Sequence, residues 1–348
     1  MHTCSGNPYI GHPSQLLRVN DYFCADGFAK GVRATDLNNG PLAVTICADK
    51  GMDLPYVSYR GYNMGYIAPS GLVAPAFYDS RGDGFLRGFF AGFLTTCGLT
   101  HMGAPCSEDG REYGMHGRIN NTPAEQYGVS LEQGPDGMRA AASGLMRQGV
   151  LFGEHLTLRR QLVLDSGKRS FFLTDTVTNH SFARQQHMIL YHFNLGYPLL
   201  SEDAELILPS ALAQPRDVQA QAGLAERLKI TPPSPGYQEQ CFFCRMRKDE
   251  AGRSFAGLYN HRLGFGVLIH YDAELLDHFT QWKLLGAGEY ALGLEPGNAT
   301  PLGVAAERAL GHVKELEPQQ QRIYRFRIDI IEGSGELSAA KEAASRLV

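Results

Sequence analysis

The chain lacks the marks of membrane, nucleic-acid and metal-scaffold proteins. No run of about eighteen apolar residues occurs in its 348 positions, and the opening "MHTCSGNPYIGHPSQ" has no basic stretch leading into an apolar one. An excess of one charge is also missing. The 32 Lys and Arg against 36 Asp and Glu leave a net charge of −4, and the basic residues are scattered, so the electrostatic footprint of a nucleic-acid binder is absent. Cysteine is sparse and unpatterned. Of seven, only Cys241 and Cys244 form a C-x-x-C; no second pair completes a zinc site, and the bulky neighbours in "CFFCRM" suit two core thiols. These absences predict a reduced, cytoplasmic protein with neither a nucleic-acid nor a membrane partner.

Long helical patterns are scarce too, and period-two alternation takes their place. "PLAVTICADKGMDL", "HLTLRRQLVLD", "RSFFLTDTVTNHS", "HMILYHFNL", "GFGVLIHYDAEL" and "QRIYRFRIDII" each fit a strand. Forty glycines and eighteen prolines, spread evenly, suit many turns. The clearest helix is "SGELSAAKEAASRLV", where Leu337, Ala340, Ala344 and Leu347 form a stripe, and a shorter one is expected near "DVQAQAGLAERLK". "PSALAQPRDVQAQAG" reads as a surface loop. Composition does not change along the chain, so the expectation is one all-β domain over residues 1–348, a large antiparallel β-sandwich with few short helices.

Within this pattern some polar residues sit where aliphatics would pack better. As a strand, "QHMILYHFNL" puts Ile189, Tyr191 and Phe193 on one face and Met188, Leu190, His192 and Asn194 on the other. Both faces are largely apolar, so His192 and Asn194 need buried partners or a ligand. In "EYALGLEPGN", Ala291, Gly293 and Glu295 share a face, and two small residues clear space beside a carboxylate. The plain alternatives are a core histidine bonded to a carbonyl and a solvated charge at a strand end.

Three further stretches carry hydrogen-bonding or aromatic groups that could serve a site. "EYGMHGRINNTPAE" reads as a loop carrying His116 and Arg118, although Asn-Thr-Pro is also ordinary turn chemistry. "DHFTQWKLLGAG" holds the single tryptophan, Trp282, whose ring can stack on sugar CH groups or simply fill a core, next to Lys283. "RGDGFLRGFFAGFLTTCGL" offers Arg81 and Arg87, and the sequence does not choose between them.

In chain order, "DKGMDL", "FFAGFLTTCGL", "MHGRINNTPAE", "YHFNLGYP" and "QWKLLGAGEYALGLEPGN" resemble a divergent branch of the aldose 1-epimerase (galactose mutarotase-like) superfamily. His192 follows His116 by 76 positions and Glu295 follows His192 by 103, which is similar to that family's order of histidine, histidine and late glutamate. The resemblance implies a twisted β-sandwich with the sugar on a concave face, His192 as general acid, Glu295 as general base, and His116 with an arginine of the 81–87 region on the substrate hydroxyls. The family's additional aspartate has no clear counterpart, and Glu239 in "YQEQCFF" is the nearest candidate. Anomer exchange by this pair needs no cofactor and no metal. The expected partner is a small sugar or sugar derivative, and the expected state a monomer or homodimer. Alternatives are an isomerase or epimerase acting at another carbon, a metal-assisted enzyme using His101, His116, His187 and His192, or a non-catalytic sugar-binding protein.

Overall fold

The computed structural model describes residues 8–134 and 137–348. Alternating sequences become two large antiparallel sheets. The larger runs, edge to edge, Arg18–Phe23, Arg33–Asn38, Leu42–Cys47, Asp53–Tyr59, Leu94–Leu99, Gln185–Gly196, Glu289–Gly297, His278–Gly286, Gln240–Met246 and Ser210–Pro215. The smaller runs Glu125–Gly134, Gly137–Gly149, His155–Asp165, Ser170–Asn179, Gln321–Glu332, Phe265–Asp272, Arg253–Asn260 and Ala204–Ile207. One continuous apolar cluster draws on both, including Ile189, Tyr191, Phe193 and Leu294 from the larger sheet and Leu158, Leu173, Val267 and Ile328 from the smaller. The sheets therefore pack face to face as a sandwich. Burying each such side chain contributes about 1.5–3 kcal/mol, which fixes the register of the strands carrying the polar residues.

The outer faces are covered unequally. On the smaller sheet the helix Gly333–Arg346 lays Leu337, Ala340 and Ala344, with the extended Leu347 after them, over Phe255, Tyr259 and Ile331. On the larger sheet Met188, Leu190 and the cross-strand Cys97 are covered by Met102, Ala299 and Val304. His192 and Asn194 continue that same face beyond the apolar cover.

One expectation fails locally. The stretch read as a loop, "PSALAQPRDVQAQAG", contains the strand Ser210–Pro215, while the short helix expected near "DVQAQAGLAERLK" forms over Val218–Gly223. The strand lies at the sheet's edge with no fully buried residue, so it shows no clear apolar face, and Pro215 is tolerated there because an edge strand has a side without hydrogen bonds.

Between the sheets lies a charged network that the sequence does not announce. Arg160 is fully buried; Nη1 donates to Asp53 at 2.7 Å, and Nη2 donates to Asp175 at 2.6 Å and to Thr96 at 2.8 Å. Tyr191 and Asn120 add donors to Asp175 and Asp53 at 2.9 and 2.8 Å. This network backs the strand position next to His192.

Candidate active site

The pairings Leu190↔Gly297 and Phe193↔Leu294 set His192 opposite Glu295, and Thr95 and Thr280 extend the row on either side. His192 Nε2 and Glu295 Oε1 are 3.3 Å apart, without the alignment of a hydrogen bond. The residues are 6% and 2% exposed. Gly293 makes the room. A Cβ there would stand 2.3 Å from Glu295 Oε1 and 2.8 Å from Trp282 Cβ. Across the strands Gly293 pairs with both Asn194 and Trp282, so a small residue is flanked by an amide and an indole.

Aromatic rings wall the histidine. Phe89, Trp282 and His116 lie 5.5, 5.3 and 5.9 Å from the His192 ring, centroid to centroid, and Phe85 backs His116 at 5.1 Å. His116 holds φ 57, a conformation uncommon for a side chain with a Cβ. Backbone bonds keep it there: His116 N donates to Gly103 O, and Gly98 N donates to His116 O. Strain maintained in this way beside a polar pair is a recurrent feature of functional sites.

Four buried polar atoms around this floor have no well-aligned hydrogen-bond partner among the described residues: His192 Nδ1, Asn194 Oδ1, Thr280 Oγ1 and Glu295 Oε1. Orphans of this kind cost about 1–3 kcal/mol each, so their concentration on one face argues for a polar ligand. Burial also sets the charges. It lowers His192 to about 3, with His116 acting in the same sense. Burial and Glu239 raise Glu295 well above the usual carboxylate range, and Arg216 offsets part of this. Desolvation thus disfavours the charged form of both groups.

The other sequence-derived residues divide. Trp282 Nε1 donates to Glu239 at 2.9 Å, and Arg216 Nη2 donates to the other oxygen of Glu239 at 2.7 Å, so Glu239 fixes the indole at the rim. Asn194 Nδ2 donates to Ala91 O and His192 O, which leaves its oxygen free. Arg87 ends the 3-10 turn Gly84–Arg87 that carries Phe85; it is exposed and has no ion-pair partner among the described residues. Lys283 is not brought to the pair. Strand alternation turns it away from Trp282, and its Nζ donates to Glu226 O at 2.8 Å. Arg118 stacks over Tyr78 and lines a separate cavity together with Arg81. His187 also faces the opposite side of its strand, bonded to Tyr324 and Leu99. Cys241 and Cys244, three apart on one strand, fall on opposite faces as free thiols.

Sequence reading overlooked Phe85, Phe89, Thr280, Arg216 and Lys50. Thr280 was open to discovery, since alternation in "HFTQWK" puts it beside Trp282. Lys50 is fully buried; its Nζ donates to Gly88 O at 3.2 Å and to the Asn121 side-chain oxygen, tying together the two loops that carry Phe89 and His116.

No curated protein matches the chain. Among solved structures, a Klebsiella pneumoniae protein provisionally named an aldose 1-epimerase is 26% identical, with 95% of this chain and 88% of that one covered and a TM-score of 0.91. A galactose mutarotase-like protein of Clostridium acetobutylicum is 15% identical, with 91% and 99% covered and a TM-score of 0.66. Galactose 1-epimerase of Lactobacillus acidophilus is 14% identical, with 91% and 99% covered and a TM-score of 0.60. The sequence model of a family described as a domain of unknown function, DUF4432, matches residues 29–330, and the chain belongs to that family, a divergent branch with the galactose mutarotase-like fold.

Proposed function

We propose that the protein is a sugar mutarotase of the aldose 1-epimerase type, interconverting the anomers of an aldose by ring opening at His192 and Glu295. The observation that carries this reading is the 3.3 Å approach of an imidazole and a carboxyl on a face cleared by Gly293. Ring opening needs a base for the proton of the anomeric hydroxyl and an acid for the ring oxygen. Burial favours the proton on Glu295 over His192. An anomeric hydroxyl donating to Glu295 Oε1 favours the carboxylate, and the proton passes to His192. Glu295 then takes the hydroxyl proton while the C1–O5 bond breaks, C1=O1 forms, and His192 protonates O5. Rotation about C1–C2 and the reverse steps give the other anomer, with no net proton consumed. Trp282, held by Glu239, offers a ring face to the sugar, and Asn194 and Thr280 offer hydrogen bonds to its hydroxyls.

The test is exchange spectroscopy on freshly dissolved aldose anomers. Glu295→Gln and His192→Ala are each expected to reduce kcat by about 10²–10⁴ with the fold retained. Undiminished exchange by Glu295→Gln would refute the assignment. Solvent deuterium appearing at C2 would instead indicate chemistry at another carbon.

A further inference from the structure

Three of the four poorly bonded atoms on the floor belong to His192, Asn194 and Glu295, which share one face of two paired strands. Asn194 follows His192 by two positions, so both side chains leave the same side of Gln185–Gly196. The amide nitrogen is already committed. Asn194 Nδ2 donates to Ala91 O at 3.0 Å and back to His192 O at 2.9 Å. Two carbonyl acceptors decide which way an amide faces, so what Asn194 has left to offer is an oxygen with two lone pairs and no donor. The side chain acts on the imidazole in the sense of an acceptor, favouring its protonated form, although Nδ1 and Oδ1 are not well aligned.

The tautomer of His192 follows from what each ring nitrogen meets. Nε2 lies 3.3 Å from Glu295 Oε1, and burial favours the proton of this pair on the carboxyl. Glu295 is then the donor and Nε2 the bare acceptor, which puts the ring's own proton on Nδ1. The opposite tautomer would set a bare Nδ1 against an amide oxygen, acceptor against acceptor. The surrounding rings do not compete for that proton. Phe89 has no polar atom, and Trp282 Nε1 is itself a donor, used on Glu239.

We propose that Asn194 is a positioning residue: its Oδ1 accepts from His192 Nδ1–H and thereby keeps Nε2 bare and turned to Glu295. The chemical purpose rests on the mutarotase reading above. When the proton of Glu295 passes to Nε2, the ring becomes a cation, and the bond from Nδ1–H to Asn194 becomes charge-assisted. Such bonds are often loose in an empty site and tighten with substrate. A neutral amide orients the ring without placing a fixed charge beside it, so the resting pair stays neutral. The second lone pair of Oδ1 remains for a sugar hydroxyl, and Thr280 Oγ1 is the one orphan that this arrangement does not use.

The experiment is long-range ¹H–¹⁵N NMR of the ligand-free full chain carrying ¹⁵N-histidine at pH 7, with His192 identified by the signals lost in His192→Gln. The parent is expected to show the Nδ1–H tautomer at residue 192. Asn194→Ala is expected to move it toward Nε2–H, and to lower kcat for anomer exchange by about tenfold to hundredfold with KM little changed. A parent spectrum showing Nε2–H overturns the proposal whether or not the variant folds, and so does a folded Asn194→Ala that keeps the parental tautomer. The spectrum needs no turnover. A parent with the Nδ1–H tautomer that exchanges no anomers would refute the mutarotase reading and leave the orientation of His192 by Asn194 standing.

Discussion

Replacing Gly293 with alanine adds one carbon at the centre of the proposed floor. The new Cβ would stand 2.3 Å from Glu295 Oε1 and 2.8 Å from Trp282 Cβ. Carbon atoms in contact rest about 3.5–4.0 Å apart, so the carboxyl must retreat by roughly 1 Å and the tryptophan strand must give as well. Backbone geometry is no obstacle, because Gly293 is not among the positive-φ glycines. Overpacking of this kind costs about 1–3 kcal/mol, part of it recovered by the stiffer unfolded chain. The expected stability loss is thus small, while a displacement near 1 Å at a reacting group lowers rate by about 10²-fold. Leu292→Ala one position away opens the core instead, with an expected loss of about 2–5 kcal/mol and little change in rate per folded molecule. Anomer exchange by NMR with urea unfolding on both variants separates the two effects. If Gly293→Ala exchanges anomers at the parental rate, the cleared face does not position Glu295, and the reasoning fails.

Arg160→Met leaves Asp53 and Asp175 buried without their cation and is expected to cost about 3–5 kcal/mol, read as a lowered urea midpoint. Lys50→Met removes the tie between the two loops while also removing a buried charge, which burial lowers to about 8; the expected result is near-parental stability, faster amide exchange around Gly88 and Asn121, and kcat reduced about tenfold or more. Stability is also expected to fall as pH drops below about 6.5. His101, His116 and His187 are lowered to about 4 and His192 to about 3, so the unfolded chain takes up protons that the folded one refuses. Uptake of between roughly three and four protons by these rings corresponds to about 5 kcal/mol per pH unit near pH 5, and the raised Glu295 opposes part of it. An unchanged urea midpoint between pH 7 and 5 would contradict this reasoning.

How much of this was legible in the sequence follows from which forces write a local pattern. Strands with one face on the shared core, such as His155–Asp165, alternate and are read directly. The strand Gln185–Gly196 is covered on both faces, so His192 and Asn194 stand out only because they interrupt an apolar run. Ser210–Pro215 has no buried face and leaves no period to find. Arg160 is hidden for a different reason. In "HLTLRRQLVLD" it sits beside Arg159, an exposed neighbour of the same type, and only the fold reveals that its partners lie on other strands. Alternation alone, applied strictly, separates Lys283 from Trp282, whereas the cavity shared by Arg81 and Arg118 depends on loop geometry that no period encodes.

The location of one proton connects these observations. An ion pair and a neutral pair at residues 192 and 295 contain the same number of protons, so burial changes where the proton rests without changing what the site can deliver. Desolvation favours it on Glu295 over His192, with His192 Nδ1 and Glu295 Oε1 poorly hydrogen-bonded. A neutral resting pair avoids holding two desolvated charges, and the charged form arises only when a ligand hydroxyl supplies the missing hydrogen bonds. Acid and base are then generated together at 3.3 Å by binding itself. Since each direction of ring opening ends with the proton returned, the same floor serves both anomers, which is what a catalyst of anomer equilibration requires.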